Sequence, residues 1–377
     1  MSLDLAATLV PAAEQRREQI VALCATLVAA PSINPAGDTR QVAAIVARAL
    51  RDLGVRCRLA HQDPAMPSVL ADVDSGRPGP HLVLNVHLDT MPPGDESAWT
   101  VPVLTMTRRD GRLYGLGMGN MKGAVAAMVH AVQLLAEHRE HWCGRVTFTA
   151  VSDEVVFGDN GAAFLLRTHP DLHGDALICG EGPGFRRLAL GEKGVLWLEI
   201  TTEATGGHSS AVRPGASASA RLAAAVARID ALTGHTGTLP PELAAVMGDG
   251  GDAGLELTAN VGVLSAGTFV GQVAVAGRAE VDLRLPPGLG VDDAEALVRA
   301  AVADVPTVRV RRIKGWDANW TGPQTGVARA WREASRAIGA GDPAYAIRLP
   351  ASDASRWRRA GVPALCYGPQ PTLSAGV

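Results

Sequence analysis

Closely spaced cysteines are missing from this 377-residue chain. Cys24, Cys57, Cys143, Cys179 and Cys366 are scattered, odd in number, and contain no Cys-x-x-Cys. That argues against a disulfide framework and reads as reduced thiols of a cytoplasmic protein. Positive charge is not in excess either. A formal net charge of -3 excludes the basic face that general nucleic-acid or acidic-membrane binders carry, so neither partner is expected. No apolar run is long enough to span a bilayer. Met1 to Arg17 lacks a basic segment ahead of an apolar core, so no signal peptide is read. Internal repeats and low-complexity linkers are also missing.

What is present is an ordinary soluble composition, 47% hydrophobic and 19% charged. The length exceeds what one hydrophobic core serves, so two domains are expected. Apolar spacing predicts helices over 14–30 and 39–53, the first ended by Pro31-Ser32-Ile33-Asn34-Pro35 and the second by Gly54. Strands are expected at 55–60, 69–73, 81–86, 145–151 and 176–179, with helices over 121–138 and 160–168 between them. Strands alternating with helices imply a largely parallel sheet flanked by helices. The pattern changes after Gly184. Strands at 187–190, 195–202, 258–264 and 272–285, with helices over 217–232 and 291–302, read as an inserted α+β module. A strand at 308–313 and a helix over 324–338 are expected to rejoin the first domain. The expected division is 1–184 with 309–377, and 185–308.

Chemistry-bearing residues gather at the predicted strand ends. His87-Leu88-Asp89 closes an apolar strand, and residues two apart on a strand share a face. A carboxylate on the far nitrogen of a histidine is how metal-ligating imidazoles are commonly held. The next strand ends in Ser152-Asp153-Glu154-Val155, the one after in Cys179-Gly180-Glu181-Gly182-Pro183. Gly117-Met118-Gly119-Asn120-Met121-Lys122-Gly123 leads into the long helix. Gly206-Gly207-His208-Ser209-Ser210 and Asp282-Leu283-Arg284 stand in the inserted module, and Ser352-Asp353-Ala354 near the end. In open α/β sheets the ligand crevice lies outside the carboxyl ends of the strands, so these groups converge on one rim. Taken singly, each has a bland explanation: a satisfied strand-end histidine, a solvated loop carboxylate, a simple glycine turn. Their order along the chain is specific.

That order resembles the M20 family of zinc peptidases and deacylases, the group of carboxypeptidase G, succinyl-diaminopimelate desuccinylase, acetylornithine deacetylase and aminoacylase-1. The resemblance covers essentially the whole chain. It implies an α/β catalytic domain with a ferredoxin-like lid and dimerisation domain inserted, and two zinc ions held by five ligands. By position, His87 is the ligating histidine, Asp89 its orienting carboxylate, Glu154 the general base and Glu181 a later ligand. His208 matches a histidine sent across a homodimer to the partner's active site, where it stabilises the oxyanion. Arg284 matches an arginine that pairs with a substrate carboxylate, a task its forked guanidinium suits; an interface salt bridge is the bland reading of the same residue. Asp353 matches a motif near the site and is read first as structural.

Three ligand positions depart from the pattern. The bridging aspartate falls on Asn120, the second glutamate on Val155, and the C-terminal histidine on Gly376. An amide offers one neutral oxygen to a metal, and valine and glycine side chains offer nothing. The expected cofactor is therefore none, or one weakly held zinc at His87, Glu181 and Asn120. Three functional readings follow. The first is a divergent enzyme acting on an amide or acyl group of a small, amino-acid-like, carboxylate-bearing substrate without two-zinc hydrolysis. Its reaction would be metal-independent acyl transfer, condensation, cyclisation or isomerisation in specialised biosynthesis. Catalysis would fall to Glu154, His208 and Asp89, and substrate contacts to Arg284, His87, Asn120 and Glu181. The second is a metallohydrolase, an N-acyl amino acid deacylase or dipeptidase, with one metal or with substitute ligands such as Asp153, Asp159 or a residue beyond 377. The third is a binding pseudoenzyme.

Overall fold

A computed structural model describes residues 5–247 and 252–369. The chain forms two compact units. One runs to Leu190 and resumes over Trp320–Ala346 and from Ser352; the other is Gly191–Asn319 with Ile347–Ala351.

The first unit is built on β1 (Cys57–Ala60), β2 (Ser68–Asp74), β3 (His81–His87), the small hairpin β4 (Thr107–Arg109) and β5 (Arg112–Tyr114), β6 (Arg145–Val151), β7 (Ala176–Cys179) and β8 (Arg187–Glu192). The second carries β9 (Gly194–Glu203), β10 (Thr258–Ala266), β11 (Ala276–Leu285) and β12 (Arg309–Trp316), after which come β13 (Asn319–Trp320), β14 (Ala344–Arg348) and β15 (Ala364–Cys366). The large sheet has the order β1-β2-β6-β3-β7-β15-β8-β13, with β14 also on β8. Its middle is parallel: β3 pairs with β6 and β7, and β15 with β7, all in parallel register. The outer pairs β1-β2 and β2-β6 are antiparallel.

β3 is buried because both faces of the sheet are covered, and its run Leu82-Val83-Leu84 suits a central strand. The helix Arg40–Asp52 buries Val42, Ala43, Val46, Ala47 and Leu50, a stripe at helical spacing. The helix Gly123–Glu137 buries Val125, Val129 and Val132 in the same way. The helix expected over 14–30 is Arg17–Ala29, and a further helix, Leu5–Gln15, precedes it. Among the described residues no helix is long and apolar enough to cross a membrane.

The second unit has four antiparallel strands in the order β10-β11-β9-β12. With helices Ala218–Asp230 and Val291–Ala301 this is the interleaved β-α-β-β-α-β arrangement of a ferredoxin-like fold. Leu222, Ala225 and Ile229 of one helix and Ala294 and Val298 of the other pack on Leu196, Leu198, Ile200, Val281 and Leu283. Ser217 caps the first helix, its Oγ accepting from Ala220 N–H at 3.2 Å. Residues 309–316 differ from the expectation that they return to the first domain. β12 pairs with β9 instead, Val310 opposite Ile200, and completes this sheet. Three strands would leave one side of β9 unpaired, and the apolar Val310 needs the same covered face as Ile200.

Trp357, on the helix Ala354–Arg359 that follows Asp353, is fully buried and donates its indole N–H to Leu172 O at 3.0 Å. Trp357→Ala is expected to destabilise the first unit by about 3–5 kcal/mol, read from urea unfolding. Trp357→Phe should cost less, because it retains most of the packing and gives up the hydrogen bond.

Candidate functional site

Because β3, β6 and β7 are parallel, their C-terminal ends lie on one edge of the sheet, with His87 opposite Val151 and Asn85 opposite Cys179. His87 therefore stands beside the segment that leaves β6 (Ser152-Asp153-Glu154) and the one that leaves β7 (Gly180-Glu181). All four ionisable groups are buried: His87, Asp89, Glu154 and Glu181. His87 Nε2 lies 2.8 Å from Asn120 Oδ1, 3.3 Å from Glu181 Oε1 and 3.7 Å from Glu154 Oε2. Asn120 is delivered by the irregular turn Met118–Lys122, which Gly117 enters at φ 75° and which runs into the long helix.

Asp89 holds His87 in a different way from the one its spacing implied. The imidazole Nδ1 donates to the main-chain oxygen of Asp89 at 2.9 Å, while the Asp89 carboxylate lies 3.5 Å away. That carboxylate is occupied elsewhere. It accepts from Asn34 Nδ2 at 2.9 Å, from Val155 N–H at 3.0 Å and from Glu154 N–H at 3.2 Å. Asp89 thus fixes the loop that presents Glu154. Asn34 also donates to Asp153 Oδ1 at 3.1 Å, and Asp153 takes further bonds from Asn160.

Acceptors face both ring nitrogens of His87, which favours the protonated imidazole. Burial opposes that charge, but Glu154, Asp89 and Glu181 outweigh it and raise the imidazole pKa well above its usual value. Glu154 moves the same way for another reason. Burial raises its pKa far above the carboxylate range, His87 opposes, and the neighbouring charges of Glu181, Asp353 and Asp89 add to the rise. Asp353 joins this group. It is buried, its Oδ2 has no hydrogen-bond partner among the described residues, and burial lifts its pKa to about 7 against the pull of Arg356 and His87. Ligand atoms of His87, Glu154 and Glu181 all lie within 4.8 Å of one another, so this trio could hold a metal ion.

The family model of peptidase family M20/M25/M40 matches residues 83–376. The chain belongs to this family. Among curated relatives, succinyl-diaminopimelate desuccinylase of Rhodospirillum centenum is 32% identical over 50% of this chain and 51% of its own length. The enzyme of the same name from Bradyrhizobium sp. BTAi1 is 38% identical over 26% of this chain and 27% of its own. The matched stretches thus span about half the length of these relatives or less. Two solved structures share the fold. The M20 family metallo-carboxypeptidase Sso-CP2 from Sulfolobus solfataricus has a TM-score of 0.72 at 19% identity, covering 92% of this chain and 90% of that one. Human carnosine dipeptidase 1 has a TM-score of 0.77 at 15% identity, covering 97% and 91%.

In this M20 chain the remaining positions fall as follows. Val155 is partly buried and contributes its main-chain N–H, to Asp89. Gly376 lies outside the described residues. Asp153, one proposed substitute ligand, is held by Asn34 and Asn160; the other, Asp159, is exposed and 3.9 Å from Arg356. His208 and Arg284 belong to the second unit. His208 is exposed and caps a short turn through Nδ1, which lies 2.8 Å from Ser210 Oγ. Arg284 is paired with Asp282 two residues away on β11, through Nε at 3.0 Å and NH2 at 2.8 Å. Sequence reasoning missed Asn34, which looked like part of a helix-breaking Pro-x-x-x-Pro segment. It also underweighted Asp353, whose only signal was a position in a motif.

Glu154 supplies a pH test. A carboxyl whose folded pKa is raised penalises the folded state once pH exceeds its unfolded value, and the penalty is complete above the folded pKa. In chelator-treated protein, Glu154→Gln is expected to melt above the wild type at pH 8. The two melting curves should converge near pH 4, where both side chains are neutral.

Proposed function

We propose that this chain acts on an amide or acyl group of a small, amino-acid-like, carboxylate-bearing substrate without the two-zinc hydrolysis of its family. One observation carries the reading: Asn120, which the family resemblance aligns with a bridging aspartate, places its Oδ1 2.8 Å from His87 Nε2. A bridge between two cations needs two anionic oxygens, and the amide offers one neutral one. Val155 adds no side-chain donor for a second ion. A dinuclear centre therefore does not fit the described residues. By their names, the relatives are desuccinylases and the structural neighbours a carboxypeptidase and a dipeptidase, which supports an amide or acyl substrate.

In this reading Glu154 is the acid/base. It is buried, its loop is fixed by Asp89, and burial raises its pKa above the carboxylate range, which suits a group that takes a proton from an attacking nucleophile and returns it to the leaving group. Without a two-ion centre to activate water, an amine or carbon nucleophile of the substrate becomes the better attacker. That favours acyl transfer, condensation or cyclisation, with isomerisation as the purely proton-transfer variant. His87 and Asn120 form a polar wall opposite Glu154. Arg284 would trade part of its pairing with Asp282 for a substrate carboxylate.

His208 belongs to a homodimer in this proposal. Its turn is strapped to the segment before β11, Ser209 N–H bonding Gly271 O at 3.1 Å and Val273 N–H bonding Gly207 O at 2.9 Å. That segment and the edge strand β10 expose Phe269, Val270, Val275 and Leu264, with Val270 91% exposed. A second copy covering this apolar surface brings His208 to the boundary between copies. Its Nε2, which makes no hydrogen bond among the described residues, is left to stabilise an oxyanion in the partner.

A one-metal hydrolase is the second reading, favoured by the trio His87, Glu154 and Glu181. One divalent ion fits these donors, with Asn120 Oδ1 beside them, and would serve as a Lewis acid that polarises a carbonyl. Glu154 would then be a ligand and lose its role as base.

The two readings part on metal dependence. Using a panel of N-acyl amino acids with and without an amine acceptor, turnover is expected to survive chelation and to fall at least about 100-fold in Glu154→Gln. Turnover that disappears with chelation and returns with zinc in wild type but not in His87→Gln would establish the second reading instead, and two tightly bound equivalents that are both lost in His87→Gln with Glu181→Gln would sink the first. For the dimer, the double variant Phe269→Asp, Val270→Asp should shift the light-scattering mass to that of one chain; a wild type already of that mass would remove His208 from the mechanism.

A further inference from the structure

We infer that His138, Glu140 and His141 form a second, surface site for a zinc-class divalent ion, separate from the rim of the large sheet. The side-chain donors of these three residues lie within 4.8 Å of one another. His141 Nε2 is 3.1 Å from Glu140 Oε1, and the two imidazole rings are 6.1 Å apart between centroids. Two imidazoles and one carboxylate are a donor set that zinc takes readily, with a water in the fourth position. Ligands of a tetrahedral zinc stand about 3.3–3.5 Å from each other, given bonds of about 2.0–2.2 Å. Small rotations of these half-buried and exposed side chains close the remaining gap.

The backbone under the donors is held firmly. His138 ends the helix Gly123–Glu137, its N–H bonding Leu134 O at 3.1 Å, and His141 N–H bonds His138 O at 2.9 Å across the single turn Arg139–His141. Arg77 clamps that turn from outside, donating to Glu140 O at 2.8 Å and to Trp142 O. Trp142 in turn donates its indole N–H to Leu135 O at 2.9 Å. The ion would sit at the C-terminal end of a 15-residue helix, where unpaired carbonyls make the potential negative and a cation is favoured. It would take the place of the direct contact between His141 and Glu140. Asn120 and Glu140 stand at opposite ends of this helix, so the surface ion and the rim are separated by its length, about 22 Å at 1.5 Å per residue.

The test uses the full chain, free of any tag, stripped with chelator and titrated with zinc chloride alone in a calorimeter. His138→Gln with His141→Gln, on the surface and outside the core, is expected to lose one saturable equivalent relative to wild type and the rise in melting temperature that accompanies it. His138→Gln alone should weaken that equivalent by at least about tenfold, since even an outer partner of a ligand is worth that much. His87→Gln with Glu181→Gln should keep it. Wild-type protein that binds no zinc, or a His138→Gln, His141→Gln variant with unchanged stoichiometry and affinity, overturns the proposal. Unchanged zinc binding in the His138→Gln, His141→Gln variant leaves the acid/base role of Glu154 untouched, whereas wild-type protein that binds no zinc also removes the one-metal reading.

Discussion

The Asp89 carboxylate is the constraint on which the site depends. It is wholly buried, and three N–H groups converge on it: those of Glu154 and Val155 from the segment after β6, and the side chain of Asn34 from the segment after the second helix. Burial pushes the Asp89 pKa up, but the adjacent His87 first, and then the donors Asn34 and Val155 N–H, outweigh it and hold the pKa below its usual value. The same contacts fix where Glu154 stands. The main-chain oxygen of Asp89 meanwhile sets the His87 ring. One residue at the end of β3 thus positions both the imidazole and the carboxyl that faces it, and removing it would leave two orphaned main-chain donors in the interior.

Much of this was legible in the sequence because it follows from strand periodicity and chain order. The run His81 to His87 announced a central strand, and parallel neighbours must end on the same edge, so His87, Glu154 and Glu181 were bound to meet. The inserted α+β unit was legible for a similar reason, in the alternation of β9, β10 and β11, while its ferredoxin-like character came from the family resemblance. What escaped were features set by long-range geometry. Arg309 to Trp316 alternates as well as any returning strand, and only the unpaired side of β9 decides which sheet takes it. Asn34 lies 55 residues from Asp89 and 119 from Asp153, and nothing local marks it as the bridge between them. The strands Ala344–Arg348 and Ala364–Cys366 are too short to stand out against their surroundings. Asp89 itself was placed correctly and given the wrong atom, since spacing tells which residues share a face and not which oxygen makes the bond.

The electrostatics of the rim tie the departures from the family pattern together. A dinuclear zinc centre brings four positive charges, and its ligands supply anionic oxygens to match. Asn120 and Val155 each remove one negative charge from that set. What remains is Asp89, Glu154, Glu181 and Asp353 around His87. Burial first, and then the neighbouring carboxyls, raise the pKa of two of them, Glu154 and Asp353, which favours their protonated forms. An aspartate at 120 and a glutamate at 155 would add two more anions to a cluster in which Glu154 and Asp353 already rise in pKa. In the proposed reading the two departures are therefore of one kind, each lowering the negative charge of the rim. A buried carboxyl with a raised pKa is the equipment of general acid/base catalysis. Glu154 retains that capacity in the metal-independent reading, and an ion that took Glu154 as a ligand would remove it.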